Sequence, residues 1–224
     1  MDERQRSEAL RLLAENYPDA RPALHYSTAY ELLVAVILSA QCTDERVNKV
    51  TAELFKEHST PEGMLTLSQE ELEGYIYSCG LYRSKAAHIL SASRDIVQKF
   101  GGRVPEDFAA LRSLAGVGQK TANVVASVWF AKDAIAVDTH VFRVANRLGL
   151  AHAPNPKKTE EQLQAAIPQK DWSSAHHWLI WHGRRVCHAQ RPDCAACALA
   201  PCCDHYLQAA NTQAVNAQAA NEGE

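Results

Sequence analysis

The sequence predicts an all-α protein, and three observations carry that prediction. Apolar residues recur at helical spacing along almost the whole chain. Ser, Thr and Asp stand just ahead of several of these runs, where an N-cap belongs. Only residues 134–137 offer a short stretch of strand character. With 224 residues, 46% hydrophobic and 22% charged, the chain has ample material for a core. Its length suits one large or two small domains, at roughly 100–200 residues each. Such a composition excludes a disordered protein, which combines low hydrophobicity with high net charge.

Leu10, Leu13 and Tyr17 share one face of a first helix over 7–17. Residues 30–40 are almost wholly apolar, which places that helix in the centre of a bundle. The segment 43–58 is amphipathic, with Thr43 or Asp44 as its N-cap. Ser68-Gln-Glu-Glu71 is a capping-box pattern opening a short helix to Tyr77. Cys79-Gly80-Leu81-Tyr82 reads as a turn, and the helix after it, over 84–100, is stopped by Gly101-Gly102. Further helices fall over 107–115, 119–130, 139–147, 159–167 and 172–185. Pro154-Asn-Pro156 marks a loop. Residues 208–224 are mostly Ala, Asn and Gln without a useful apolar stripe, so they read as a disordered tail.

Residues 1–8 carry charge where a signal peptide needs an apolar stretch. The apolar run 32–38 is far short of the ~20 residues that span a bilayer. Both point to a soluble intracellular protein with no membrane partner. A net charge of −3 excludes a uniformly basic coat for nucleic acid. Yet residues 76–147 hold 10 Lys and Arg against 5 Asp and Glu, while residues 1–75 hold 7 against 14. A basic centre in an acidic protein can bind phosphate locally. A solvated mixed surface is the plainer reading of the same counts.

Five of the seven cysteines crowd into residues 187–203. Disulfide frameworks belong to small secreted domains, so clustered cysteines in an intracellular chain point to metal. Cys187, Cys194, Cys197 and Cys203 could hold zinc or a four-iron, four-sulfur cluster, since both accept four thiolates. Cys202 is the leftover by spacing, and Cys42 and Cys79 read as free, buried cysteines. His182, His188 and His205 lie close by and read as surface or phosphate-facing residues.

Leu111-Arg-Ser-Leu-Ala-Gly-Val-Gly-Gln-Lys-Thr-Ala-Asn123 places Gly116, Val117 and Gly118 between two helices. Glycine there permits positive φ and a close approach of the backbone to a partner. Amides at the N-terminus of the second helix can bind a phosphate. Lys120 lies in that first turn, where the positive end of the helix disfavours a second cation. Asp138 follows 18 residues later. A helix over 119–130 is about 18 Å long at ~1.5 Å per residue. Seven extended residues, 131–137, span about 23 Å at ~3.3 Å each, so the chain can return Asp138 to the level of Lys120. The pair then suits nucleophilic chemistry, whereas the plainer reading leaves Lys120 on a phosphate and Asp138 as an N-cap.

The hairpin string resembles the helix-hairpin-helix motif, which grips the DNA backbone without reading bases. With Leu38-Ser-Ala-Gln-Cys-Thr-Asp44, Gly80-Leu-Tyr-Arg-Ser-Lys-Ala86, Val104-Pro-Glu-Asp107, Ala136-Val-Asp-Thr-His-Val-Phe-Arg-Val144, His177-Trp-Leu-Ile180 and the cysteine array, the chain resembles the endonuclease III family over about residues 5–207. That family comprises bifunctional DNA glycosylases and abasic-site lyases of base excision repair. The resemblance implies a helix-hairpin-helix DNA glycosylase fold with a cleft between two lobes. One is a six-helix barrel over 22–132, and the other a discontinuous iron–sulfur lobe made of 1–21 and 133–207. It makes Lys120 the nucleophile and Asp138 the essential carboxylate. It puts one [4Fe-4S] cluster on Cys187, Cys194, Cys197 and Cys203. Gln41 would fill the space left by the everted nucleotide, and Leu81 would wedge between bases of the opposite strand. Asp44 and His140 would line the damaged-base pocket, and Arg184 and Arg191 would face phosphates beside the cluster. The expected partner is double-stranded DNA with oxidised pyrimidines or abasic sites, met by a monomer inside the cell, in the cytoplasm or nucleoid if the source is bacterial.

Three positions depart from the family pattern. Cys79 replaces a bulkier aliphatic residue, Arg83 replaces Asn, and Ala115 replaces Pro, whose fixed φ would stiffen the hairpin. Three other functions share parts of the pattern. A mismatched-adenine glycosylase has the hairpin and the cluster, but lacks the lysine and carries an extra C-terminal domain. A non-catalytic helix-hairpin-helix binding protein leaves the Lys120–Asp138 pair unused. An iron–sulfur electron carrier leaves the hairpin unused.

Overall fold

Residues 1–20 and 22–221 are described by a computed structural model, and among them the regular structure is helical throughout. The chain divides into two compact units, one of residues Met1–Arg21 with Ile135–Glu224, the other Pro22–Ala134. Each has its own core.

The Pro22–Ala134 unit is built around α2 (Ala29–Leu38), whose residues from Tyr30 to Leu38 are all buried. A helix with no polar face can lie only in the middle of its bundle. Around it run α3 (Asp44–Leu54), α4 (Pro61–Met64), α5 (Gln69–Ile76), α6 (Tyr82–Phe100), α7 (Phe108–Ser113) and α8 (Gln119–Val128). Thr28, Thr43, Thr60, Ser68 and Asp107 cap these helices through their side chains, and Ser68 and Glu71 complete the capping box expected there. Gly101 and Gly102 end α6 at φ of 59° and 77°. The four-residue α4 escapes a periodicity reading because it spans about one turn.

The other unit packs α9 (Thr139–Leu148) against α11 (Trp172–Arg185), with α1 (Glu3–Asn16) on α11 and α10 (Pro156–Ala166) on α9. Asp2 and Gln5 form a capping box, so α1 begins four residues before the expected start at residue 7. Residues 134–137 make no strand. Ile135, Ala136 and Val137 are buried as an irregular segment, and His176 Nδ1 meets the Ala136 carbonyl at 2.7 Å. The last helix, α12 (Asp204–Asn221), carries most of the segment read as a tail. Ala and Gln favour helix through backbone propensity alone, which an apolar-stripe criterion does not register. Residues 222–224 of that segment lie outside the described residues.

Candidate active site and DNA-contact surface

The hairpin forms between α7 and α8. Leu114 and Val117 are buried and anchor it, and the Val117 amide donates to the Leu114 carbonyl at 3.1 Å. Gly116 has φ 77°, and a Cβ there would lie 2.9 Å from His88 Cβ, so conformation and space both require glycine. Gly118 differs. It N-caps α8 in extended conformation with no side-chain cap, and a Cβ there would meet nothing within 4 Å. No neighbour within the protein demands glycine at 118; the open surface leaves room for a backbone-close partner. Lys120 is exposed in the first turn of α8.

Asp138 is half-buried at the start of α9. Its Oδ1 accepts from the His140 and Val141 amides, both at 2.8 Å, so the capping role is real. His140, also half-buried, has a pKa lowered by burial, which the Asp138 carboxylate opposes and the Arg143 and Arg184 charges reinforce. Arg143 reaches His140 Nδ1 at 3.2 Å and the carbonyls of Gly183 and Cys187 at 2.9 and 3.0 Å. Lys120 and Asp44 belong to the Pro22–Ala134 unit, and Asp138 and His140 to the other.

Four non-glycine residues of the described chain have positive φ: Gln41 at 55°, Leu81 at 48°, Ala131 at 50° and Arg191 at 52°. Three of them are residues assigned to DNA contact from the sequence. Each such residue costs on the order of 1–3 kcal/mol and persists only where its surroundings over-determine it. Gln41 and Arg191 are exposed, and Leu81 keeps 58% of its surface in water. A large aliphatic side chain held out on a strained turn gains little from the protein's own core. Arg184 is exposed in the last turn of α11.

Cys187, Cys194, Cys197 and Cys203 line one small cavity together with Arg147 and His182. Burial pushes the Cys197 and Cys203 thiols above their ordinary pKa, and neighbouring thiols of the array push the same way. Thiols so placed are costly to ionise unless a cation stands among them. Among the described residues no three His, Cys, Asp or Glu side chains gather closely enough to hold a single ion. A set of four thiols suits zinc or an iron–sulfur cluster, both of which accept four cysteines. Cys202 is buried in the core, its thiol donating to the Leu199 carbonyl at 3.3 Å. His182 corrects the sequence reading. It is 3% exposed, meets the Tyr17 hydroxyl at 2.9 Å through Nδ1, and approaches Cys197 Sγ at 3.7 Å through Nε2. His188 and His205 are exposed, as expected.

Sequence reasoning missed the fasteners of these loops. Arg147 donates to the carbonyls of His188 and Ala189 at 2.6 and 3.0 Å and lies 3.5 Å from Cys187 Sγ. Lys85 is buried and donates to two backbone carbonyls. Lys85 falls on the buried stripe of α6, four and eleven residues before Ile89 and Ile96, so helical periodicity was the one signal that could have found it.

The pattern of the HhH-GPD superfamily, described as base excision DNA repair proteins, matches residues 34–169. Endonuclease III of Rickettsia conorii is 47% identical over 196 residues, covering 88% of this chain and 93% of its own. Endonuclease III of Escherichia coli is 45% identical over 205 residues, covering 92% and 97%. Among solved structures, a trapped endonuclease III–DNA covalent intermediate superposes with a TM-score of 0.88 at 44% identity, covering 93% of this chain and 98% of that one. A non-covalent endonuclease III–DNA complex gives 0.89 at 43%, covering 94% and 99%. The chain belongs to the endonuclease III family of the HhH-GPD superfamily, and is thereby a base excision repair enzyme with DNA glycosylase and abasic-site lyase activity. Among the described residues, no helix is long and apolar enough to cross a membrane.

Proposed function

We propose that this protein flips oxidised pyrimidines out of duplex DNA, excises them through Lys120 and cuts the strand 3′ to the abasic sugar. The observation that carries this reading is an exposed lysine in the first turn of α8, directly after a hairpin whose Gly118 faces open space. A lesion lowers the cost of flipping because a damaged base stacks and pairs poorly. The neutral amine of Lys120 attacks C1′, the C1′–N bond breaks, and the base leaves with a proton. Opening of the sugar ring yields a Schiff base between Lys120 and C1′. Loss of the C2′ proton then expels the 3′ phosphate by β-elimination. Asp138 stabilises the positive charge that develops on the sugar and accepts protons from the attacking amine.

The barrel of residues 22–132 carries the hairpin, Gln41, Leu81 and Asp44. The lobe of 1–21 and 133–207 carries Asp138, His140, Arg184, Arg191 and the cysteine array. Cys187, Cys194, Cys197 and Cys203 would hold one [4Fe-4S] cluster, which ties the 187–203 loop into a fixed shape. Arg184 and Arg191 then contact phosphates, while Gln41 and Leu81 hold the flipped state open. The enzyme acts as a monomer inside the bacterial cell. Borohydride added to protein and damaged duplex tests the central claim, because it reduces the Schiff base to a stable adduct. Wild-type protein should cross-link, and Lys120→Gln should not, even with the DNA saturated. A normal single-turnover rate for Lys120→Gln would reduce Lys120 to a phosphate contact.

A further inference from the structure

The turns that carry Gln41 and Leu81 share a fastening that the proposed chemistry does not use. Lys85 lies in the first turn of α6 and is 4% exposed. Its Nζ donates to the Leu38 carbonyl at 2.8 Å and to the Cys79 carbonyl at 2.7 Å. Leu38 is the last residue of α2, three positions before Gln41. Cys79 ends the turn Tyr77–Cys79, and Gly80 and Leu81 follow it with φ of 64° and 48°. One ammonium group thus holds the backbone just ahead of both left-handed segments. The segments themselves adjoin, since a Cβ built on Gly80 would lie 4.0 Å from the Gln41 carbonyl oxygen.

Burying an ammonium is costly, and burial pushes Lys85 toward its neutral form while the nearby Cys42 and Cys79 thiols oppose that shift. An apolar side chain would fill the same space without that cost. It could not bind two carbonyls at once.

We propose that Lys85 is a positioning residue for nucleotide flipping, pinning both turns so that Gln41 and Leu81 stand at a set spacing before DNA arrives. The benefit is preorganisation: ordering of two strained turns is completed in the free protein and is not charged against the flipped complex. The proposal rests on the reading of Gln41 and Leu81 as the inserted residues.

Lys85→Met tests it, being similar in length and lacking both charge and donors. Single-turnover excision from a well-stacked lesion duplex should fall about ten-fold or more. Cleavage of a single-stranded abasic oligonucleotide, where no stack must open, should change by less than about two-fold. A 2-aminopurine beside the lesion should brighten more slowly in the duplex, reporting slower opening. Lys85→Gln keeps an amide NH2 on a shorter stem and should recover part of the duplex loss. Equal losses on both substrates, or full duplex activity in a folded variant, would overturn the proposal. Failure of both variants to fold would overturn it too, since Lys85 would then serve the barrel rather than the turns. Gln41→Ala and Leu81→Ala separate the two levels. If neither shows the duplex-selective loss, the insertion reading fails and takes this proposal with it. If both show it and Lys85→Met does not, the positioning role alone fails.

Discussion

Asp138 performs a structural task that is visible in the fold and a chemical task that is proposed, and two substitutions pull these apart. Its Oδ1 takes two amides of the first turn of α9 at 2.8 Å each. Asp138→Ala removes that cap, a loss of about 1 kcal/mol in general, and with it a favourable helix-end charge of about 0.3–1 kcal/mol. The sum is about 1.5 kcal/mol. Asp138→Asn keeps a capping oxygen and loses only the charge, so about 0.5 kcal/mol is expected. At about 2–4 °C per kcal/mol for a chain of this size, Tm should fall by roughly 3–6 °C for Ala and 1–2 °C for Asn. Excision should rank differently. Both variants lack the carboxylate proposed to face the developing charge, so both should lose on the order of 10²–10³-fold in single-turnover rate. Circular dichroism gives the first ranking, and quenched excision with the DNA saturated by protein gives the second. An Asn variant close to wild type in rate, with Ala slow only in proportion to its instability, would make Asp138 a cap and nothing more.

Cys202→Ser should keep the iron and the yellow-brown colour of the proposed cluster, whereas Cys203→Ser should lose or weaken both; iron analysis and visible absorbance decide, and reversed outcomes would reassign the ligands. Arg184→Glu or Arg191→Glu should weaken binding to damaged and undamaged duplex alike and flatten the salt dependence; a loss confined to damaged DNA would give those residues a lesion-reading role. His177 is held down to about 3 by burial, with His176 adding to the effect. Below pH 6.5 the unfolded chain therefore binds a proton there that the folded chain refuses, so stability falls as pH falls. From pH 6.5 to 5 the loss from this residue is about 1.6 kcal/mol, the slope rising toward ~1.36 kcal/mol per unit as the unfolded imidazole becomes fully protonated. Urea unfolding of His177→Gln over that range should show a shallower acid slope than wild type.

Much of the fold was legible because it rests on local rules. The wholly apolar run became the central α2, and Ser68 with Glu71 made the capping box that their spacing announces. Both ends of α11 fell where the pattern put them. The misreadings share a cause, since each concerns a segment whose state is not set by apolar periodicity. Residues 134–137 look like a strand but form an irregular segment, and the burial of Ile135, Ala136 and Val137 accounts for their apolar character. The Ala- and Gln-rich end forms α12 without an apolar stripe. At the site, Gly116 could be read directly, because a turn with positive φ selects glycine, whereas Gly118 is extended and owes nothing to that rule. The burial of His182 could not, because its partner Tyr17 lies 165 residues away.

The basic segment 76–147 shows why charge counted along a sequence is a weak guide to DNA binding. Of its ten cations, Lys85 is buried on two carbonyls, and Arg143 and Arg147 are spent on the carbonyls of Gly183, Cys187, His188 and Ala189. Lys99 and Lys132 pair with Asp95 and Glu106 at 2.8 and 2.7 Å. Arg83, Arg94, Arg103 and Arg112 remain exposed for a phosphate, and Lys120 belongs to the proposed chemistry. The internal cations fall into a pattern nonetheless. Lys85 binds the backbone ahead of Gln41 and Leu81, and Arg147 binds it two and three residues ahead of Arg191. These are the three candidate DNA contacts held at positive φ. A strained turn needs several restraints to keep it strained, and a cation bound to two carbonyls supplies two at once. On the proposed reading of Gln41, Leu81 and Arg191, part of this segment's positive charge would therefore serve DNA at second hand, by holding the turns that touch it.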